Sequence, residues 1–376
     1  MIHFLSKTSR RALGSTVLLR LDFNAEDIWR LEASLPTIEW LIRRGLRVVI
    51  VSHRGRPAGV RIKNGLPHGR DAKKFSLRSD AETLARLIRR PIIFVPHFRF
   101  KDIKRSVAAA KRGTIFLLEN LRFLPGEERN DVALARQLAA LADSYVNDAF
   151  AVSHRADASI VAITKRLPSF AGLEMEKEIW HLTRLIRKPE HPLVLIVGGA
   201  KAHDKLGILK YFRTRAKCFL VGGGSANTLL MLRGIDVGPS LVDRAAADQP
   251  MFRAASRFPH LILPVDWRAN ARGRILDIGS KTGKIFAREI ARAKTILWSG
   301  PMGYIEDPRY AKGNLVVARA IAKNRRAFSV TGGGETVSFL KSHKLDGKFS
   351  FISTGGGAML DYLAGEKLPG IAALKK

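Results

Sequence analysis

The chain has almost no cysteine, few acidic residues for its size and no long apolar run. Each shortage removes a class of protein. The single cysteine, Cys218, allows neither an internal disulfide nor a thiolate metal site. It lies in Lys217-Cys218-Phe219-Leu220-Val221, where a buried strand residue is expected rather than a nucleophile. No apolar segment approaches the ~20 residues that span a bilayer. Residues 1–11 lack the apolar stretch of a secretory signal, so a cytoplasmic protein without a membrane partner is expected. Neither a GxxxxGK[ST] P-loop nor a convincing GxGxxG fingerprint occurs. Asp and Glu number 33 against 65 Lys and Arg, leaving a formal charge of +32. That balance attracts polyanions and concentrates phosphorylated substrates near the surface, so non-specific polyanion binding is expected. The basic residues are scattered, however. Pairs such as Arg43-Arg44, Arg89-Arg90 and Arg325-Arg326 suit solvated helix ends, and no nucleic-acid-binding motif accompanies them.

With 376 residues the chain suits two domains, each long enough to bury a core. Short aliphatic runs alternate with helical patterns throughout. In the first half Val17 to Asp22, Val48 to Val51, Pro91 to Val95, Thr114 to Leu118 and a run beginning at Tyr145 read as strands. Helical stretches are Ser34 to Arg44, with Ser34 as N-cap and Gly45 just past the end, then Ala81 to Arg90, Val107 to Lys111 and Asp131 to Leu141. In the second half Leu193 to Val197, Phe219 to Val221, Leu261 to Leu263, Thr295 to Trp298, Phe328 to Val330 and Phe349 to Ile352 read as strands. Lys284 to Ala293 and Leu315 to Lys323 are among the helices between them. Strands alternating with helices imply right-handed crossovers and parallel sheets. The expectation is an α/β protein of two doubly wound parallel-sheet, Rossmann-like domains joined by a hinge helix. A first domain is expected over 1–173, a connecting helix over 174–192, a second domain over 193–365 and a C-terminal segment over 366–376.

Glycines recur where strands of the second half end. Gly198-Gly199, Gly222-Gly223-Gly224, Gly300 with Gly303, Gly332-Gly333-Gly334 and Gly355-Gly356-Gly357 each follow a strand. In an open α/β sheet that edge binds ligands, and glycine lets backbone amides approach phosphate oxygens. Lys201 and Lys205, four apart, are expected on one face of a helix start, where lysines meet phosphate. In the first half the loops after strands are polar and basic: Asp22-Phe23-Asn24, Ser52-His53-Arg54-Gly55-Arg56-Pro57, Glu119-Asn120-Leu121-Arg122-Phe123 and Asn147 to Arg155. Arg56, Arg122 and Arg155 are expected to converge on one edge, with His53 and His154 nearby. Arginine forks suit carboxylate and phosphate oxygens. A basic cup and a glycine-rich phosphate shelf on separate domains suit a transferase that closes around two substrates.

These stretches together resemble phosphoglycerate kinase along essentially the whole chain, from Arg20-Leu21-Asp22-Phe23-Asn24 to Leu368-Pro369-Gly370. Gly198-Gly199-Ala200-Lys201, Leu263-Pro264-Val265-Asp266, Gly300-Pro301-Met302-Gly303 and Ser353-Thr354-Gly355-Gly356-Gly357 are among the most specific matches. The resemblance implies phosphoryl transfer between 1,3-bisphosphoglycerate and ADP, with ATP or ADP as co-substrate, Mg²⁺ as cofactor, hinge bending and a monomer. It implies 3-phosphoglycerate contacts at Asp22, Phe23, Asn24, Arg30, His53, Arg54, Gly55, Arg56, Arg122 and Arg155. Lys201, Lys205, Gly224, Leu276, Glu306, Gly333, Gly334, Glu335 and Thr336 would serve the nucleotide: Gly224 and Leu276 the adenine, Glu306 the ribose, Glu335 the metal. Arg30, Lys201, Gly334 and Gly357 would act on the transferred group. The C-terminal residues Leu368 to Lys376 would return to the first domain. The sequence departs from the family in a shortened Asn24–Arg30 loop without the usual proline, in a compressed Trp267–Arg274 segment, in Ser299 for asparagine and in Glu335 for aspartate.

Overall fold

The computed structural model describes residues 1–24 and 28–375. The short loop after Asn24 therefore lies largely outside the described residues, as does Lys376. The chain divides into two compact units: Met1–Ile179 with the residues from Lys367 onward, and Trp180–Glu366.

The first unit holds six parallel strands, β1 (Thr16–Arg20), β2 (Arg47–Val51), β3 (Ile93–Val95), β4 (Ile115–Leu118), β5 (Ser144–Asn147) and β6 (Ser169–Ala171), in the order β3-β4-β2-β1-β5-β6. Its central strands are covered on both faces, so β1 and β4 are buried along their length; β4 reads as an unbroken apolar run, and β1 does so except for Thr16 and Arg20 at its ends. Leu19, Leu41, Val48, Ile50 and Leu117 join one core cluster. The second unit holds β7 (Leu193–Val197), β8 (Cys218–Val221), β9 (Leu261–Ile262), β10 (Thr295–Ser299), β11 (Phe328–Gly332) and β12 (Phe351–Ser353), again all parallel, in the order β9-β8-β7-β10-β11-β12. This is the doubly wound order, with its switch point between β7 and β10, where ligands bind.

The helices correct several expected bounds. The first helix is described from Ile28 to Arg43, and Ser34 is not its cap. Ser34 is buried inside the helix and donates its hydroxyl to the Leu31 carbonyl at 2.7 Å. Burial of Trp29, Leu31 and Ile38 holds the helix through Pro36. The helix expected at Val107–Lys111 is Phe100–Ala109, anchored by buried Ile103 and Val107. The connecting helix runs from Leu173 to Arg187. Two small antiparallel hairpins were not expected: Arg61–Lys63 with Leu66–His68, and Trp267–Ala269 with Ile275–Ile278. The first turns at Asn64-Gly65, both at positive φ, as a two-residue hairpin turn requires. Beyond Lys367 the chain lies against the first unit, where Gly370 donates to the Ser153 carbonyl at 2.8 Å.

Candidate functional site

On the first unit, the loops after β1, β2 and β4 lock to one another at the strands' C-terminal edge. The Ser52 hydroxyl accepts from the Phe23 amide at 3.0 Å and donates to the Leu21 carbonyl at 2.7 Å. Asn24 Oδ1 accepts from the Gly55 amide at 2.7 Å. Asn120 accepts from the Arg54 amide at 3.2 Å and donates back to the Arg54 carbonyl at 2.8 Å. Gly55 sits at φ +62, and an added Cβ would lie 2.2 Å from the Phe75 ring, so this turn requires glycine.

Within that frame the cationic groups are incompletely satisfied. Arg30 Nε, His53 Nε2, Arg122 Nε, His154 Nδ1 and Arg155 Nη1 are buried without a hydrogen-bond partner. A buried polar group without a partner costs about 1–3 kcal/mol. Five on one edge fit an anionic ligand that accepts from them. Asp22 places one oxygen 3.7 Å from Arg30 Nη1 and the other 3.7 Å from His53 Nδ1. Burial, then Arg20 and Arg122, holds the His53 imidazole well below its ordinary pKa, so it is neutral near pH 7. Asp148 and Asp157 also keep one unpartnered oxygen each, and burial pushes both carboxyls up, Asp148 to about 6.

On the second unit, the five glycine clusters stand at the C-terminal ends of β7, β8, β10, β11 and β12. They are not equivalent. Gly198 and Gly300 lie so close to each other's loops that an added Cβ would come within 2.1 Å and 2.3 Å of backbone oxygens. Loop packing alone requires them. Gly357 has no positive φ and nothing within 4 Å of an added Cβ. Neither strain nor packing demands glycine there. A cleft of about 210 Å³ is lined by Gly224, Leu276, Glu306 and Glu335 among others, with Trp267 and Tyr304 on its walls. Gly333 caps the helix Gly334–Ser342 without any side-chain cap, leaving its first amides for an anion. The Thr336 hydroxyl in its first turn is buried and unpartnered.

Residues 9–366 match the family model for phosphoglycerate kinase. The phosphoglycerate kinases of Desulforapulum autotrophicum and Dictyoglomus turgidum are 41% and 38% identical to this chain, over 96% of it and 97% and 96% of theirs. The solved phosphoglycerate kinase from Pyrococcus horikoshii OT3 superimposes with a TM-score of 0.83 at 30% identity, covering 99% of this chain and 98% of that one. The enzyme from Coxiella burnetii gives 0.81 at 31%, covering 100% and 99%. The chain belongs to the phosphoglycerate kinase family.

Among the positions that the family resemblance singles out, the structure separates several. Phe23 packs in the core at 2% exposure, so only its backbone faces the loop frame. The Arg54 fork is engaged by Asp80 through Nε at 3.1 Å and through Nη2, which leaves its backbone to the cup. Arg56 is exposed. Arg122 donates to the Gly55 carbonyl at 2.6 Å and pairs with Glu128 at 3.3 Å. Lys201 and Lys205 do not share a helix face. The helix begins only at Leu206, Lys201 stands exposed in the bend before it, and Lys205 is buried with Nζ donating to Ser299 Oγ at 2.9 Å. Burial lowers the Lys205 ammonium to about 8, against the opposing pull of Asp204 and Glu335. Ser299, one of the family departures, thus holds Lys205. The compressed Trp267–Arg274 segment folds into the second hairpin, and that hairpin walls the cleft. Sequence reasoning missed Arg20, a fully buried cation beside His53. Its signal was a charge inside the otherwise apolar run Val17 to Leu21.

Proposed function

We propose that this chain transfers a phosphoryl group reversibly between 1,3-bisphosphoglycerate and ADP, giving 3-phosphoglycerate and ATP, as a glycolytic enzyme of the cytoplasm. The observation that carries the substrate half is the set of five buried, unpartnered nitrogens on one sheet edge. A phosphorylated carboxylic acid supplies acceptors for all of them, and a neutral metabolite does not.

In this reading the triose phosphate lies on Arg30, His53, Arg122 and Arg155, with the backbone of Asp22 to Asn24 and Arg54 to Arg56 around it. The nucleotide base enters the cleft between Gly224 and Leu276, Glu306 takes the ribose hydroxyls, and Lys205 with the amides of Gly333 to Thr336 takes the phosphates. Phosphoryl transfer needs positioning and charge stabilisation more than covalent help. Arg30, Lys201 and the amides of Gly334 and Gly357 supply donors to the equatorial oxygens of the group in flight. The acceptor carboxylate is already ionised, so no strong general base is required. Among the described residues no cluster of three or more His, Cys, Asp or Glu is arranged around a metal position. A lone Glu335 beside the unpartnered Thr336 hydroxyl fits Mg²⁺ held chiefly by nucleotide phosphates and water. When bound, the ion neutralises phosphate charge. We place the reaction in a monomer that closes about the helix Leu173–Arg187.

Calorimetric titration with 3-phosphoglycerate tests the substrate half. The protein binds it, and Arg155→Gln weakens binding about tenfold or more, as expected for a lost charged hydrogen bond. Equal affinity in Arg155→Gln would remove Arg155 from the site.

A further inference from the structure

Arg20 is fully buried in β1, and the mechanism above gives it no contact with either substrate. Each edge of its guanidinium is engaged. Nε donates to Ser159 Oγ at 2.9 Å, Nη1 donates to the Leu21 carbonyl, and Nη2 stands 3.1 Å from His53 Nδ1. Glu127, also fully buried, lies 3.9 Å from Nη2 and accepts from the Ser159 hydroxyl and amide. The cation is therefore held on three sides before it meets the histidine.

An arginine has donors and no acceptor. The contact at 3.1 Å is a hydrogen bond only if His53 Nδ1 is the acceptor. Asp22 competes for the same nitrogen and would favour Nδ1–H, but its oxygen is 3.7 Å away, beyond hydrogen-bond reach. A neutral imidazole that accepts at Nδ1 carries its proton on Nε2, the buried nitrogen without a partner.

We infer that Arg20 is a positioning residue, anchored by Ser159 and Glu127, that fixes His53 as the Nε2–H tautomer and so aims one neutral donor at the substrate's anionic group. This rests on the substrate reading given above. The charged groups facing His53 are Arg20 on its own sheet, Arg122 after β4, and Asp22 after β1. Glu127 and Asp157 face Arg20 from behind. Burial first, then two arginines against one carboxylate oxygen at 3.7 Å, disfavour the protonated ring.

The test is a long-range ¹H–¹⁵N spectrum of the uniformly labelled full chain, with the His53 signals assigned by their loss in His53→Gln. The expected result is a protonated Nε2 and an unprotonated Nδ1 that persist from about pH 5.5 to 8, since burial beside a cation disfavours the imidazolium. An Nδ1–H tautomer, or a ring that titrates near pH 6.5 as an unperturbed imidazole does, would overturn the inference. In Arg20→Lys, which keeps the charge but not the fork, the tautomer becomes mixed and KM for 3-phosphoglycerate rises about tenfold, with kcat changed less. Retention of the wild-type tautomer and KM in that variant would also overturn it. Adding 3-phosphoglycerate to the wild-type protein should shift the Nε2 signal. An Nε2–H tautomer that ignores 3-phosphoglycerate would leave the Arg20 contact standing and reject the substrate site itself.

Discussion

Lys201 and Lys205 are four residues apart and differ in every physical respect that matters to their roles. Lys205 is buried, tied to Ser299, and lowered to about 8. Lys201 is exposed, and on the proposed reading it follows the transferred group. On that reading Lys205 holds nucleotide phosphates whose charge changes little between ground state and transition state, whereas Lys201 meets the transferred group chiefly while it is between oxygens. Lys201→Ala is therefore expected to lower kcat about 100-fold, comparable to removing one oxyanion donor, while Lys205→Ala acts mainly on KM for ADP. Steady-state kinetics of the two variants check this. Lys201→Ala with wild-type kcat and only a raised KM would contradict the assignment.

At the scale of elements, the start of the helix Leu173–Arg187 buries two carboxyls. Asp148 accepts from the Met175 amide at 2.9 Å. Burial raises Asp148 to about 6, and burial together with Asp148 raises Glu174 to about 7. Folded values above the ordinary carboxyl range mean that the native state holds protons the unfolded chain has lost. The resulting penalty is absent below about pH 4, grows between about pH 4 and 7, and is constant above. Glu174→Gln removes the charge, so it is expected to stabilise the protein by about 1–3 kcal/mol at pH 8 and to be neutral near pH 4. Its lost partner, the half-exposed Lys177 at 3.5 Å, offsets less than that. Thermal unfolding at both values tests this; destabilisation at pH 8 would contradict it. What was legible at this scale follows from burial. Parallel strands covered on both faces are largely apolar, so the six strands of the second sheet and five of the first were readable, while the short, mixed Ser169–Ala171 edge strand was not. The hairpin at Asn64-Gly65 carries its own local turn signal. The helix through Pro36, the pairing of Arg54 with Asp80 and the burial of Lys205 depend on groups distant in sequence, which no local pattern carries.

For the whole molecule, the charge of +32 comes from basic residues scattered along the chain, and among the described residues no helix is long and apolar enough to cross a membrane. Binding to RNA or DNA is expected to be weak, blind to sequence and steeply salt-dependent. Anisotropy titrations between about 50 and 200 mM salt should show it fall by orders of magnitude; tight, sequence-selective binding that survived would displace catalysis as the main role. Catalysis itself is the central claim. The most direct measurement is a coupled assay of ATP consumption by the purified chain with 3-phosphoglycerate and Mg²⁺. The account predicts turnover that requires all three components and falls about 100-fold in Lys201→Ala. A folded protein that consumes no ATP in response to 3-phosphoglycerate would contradict it.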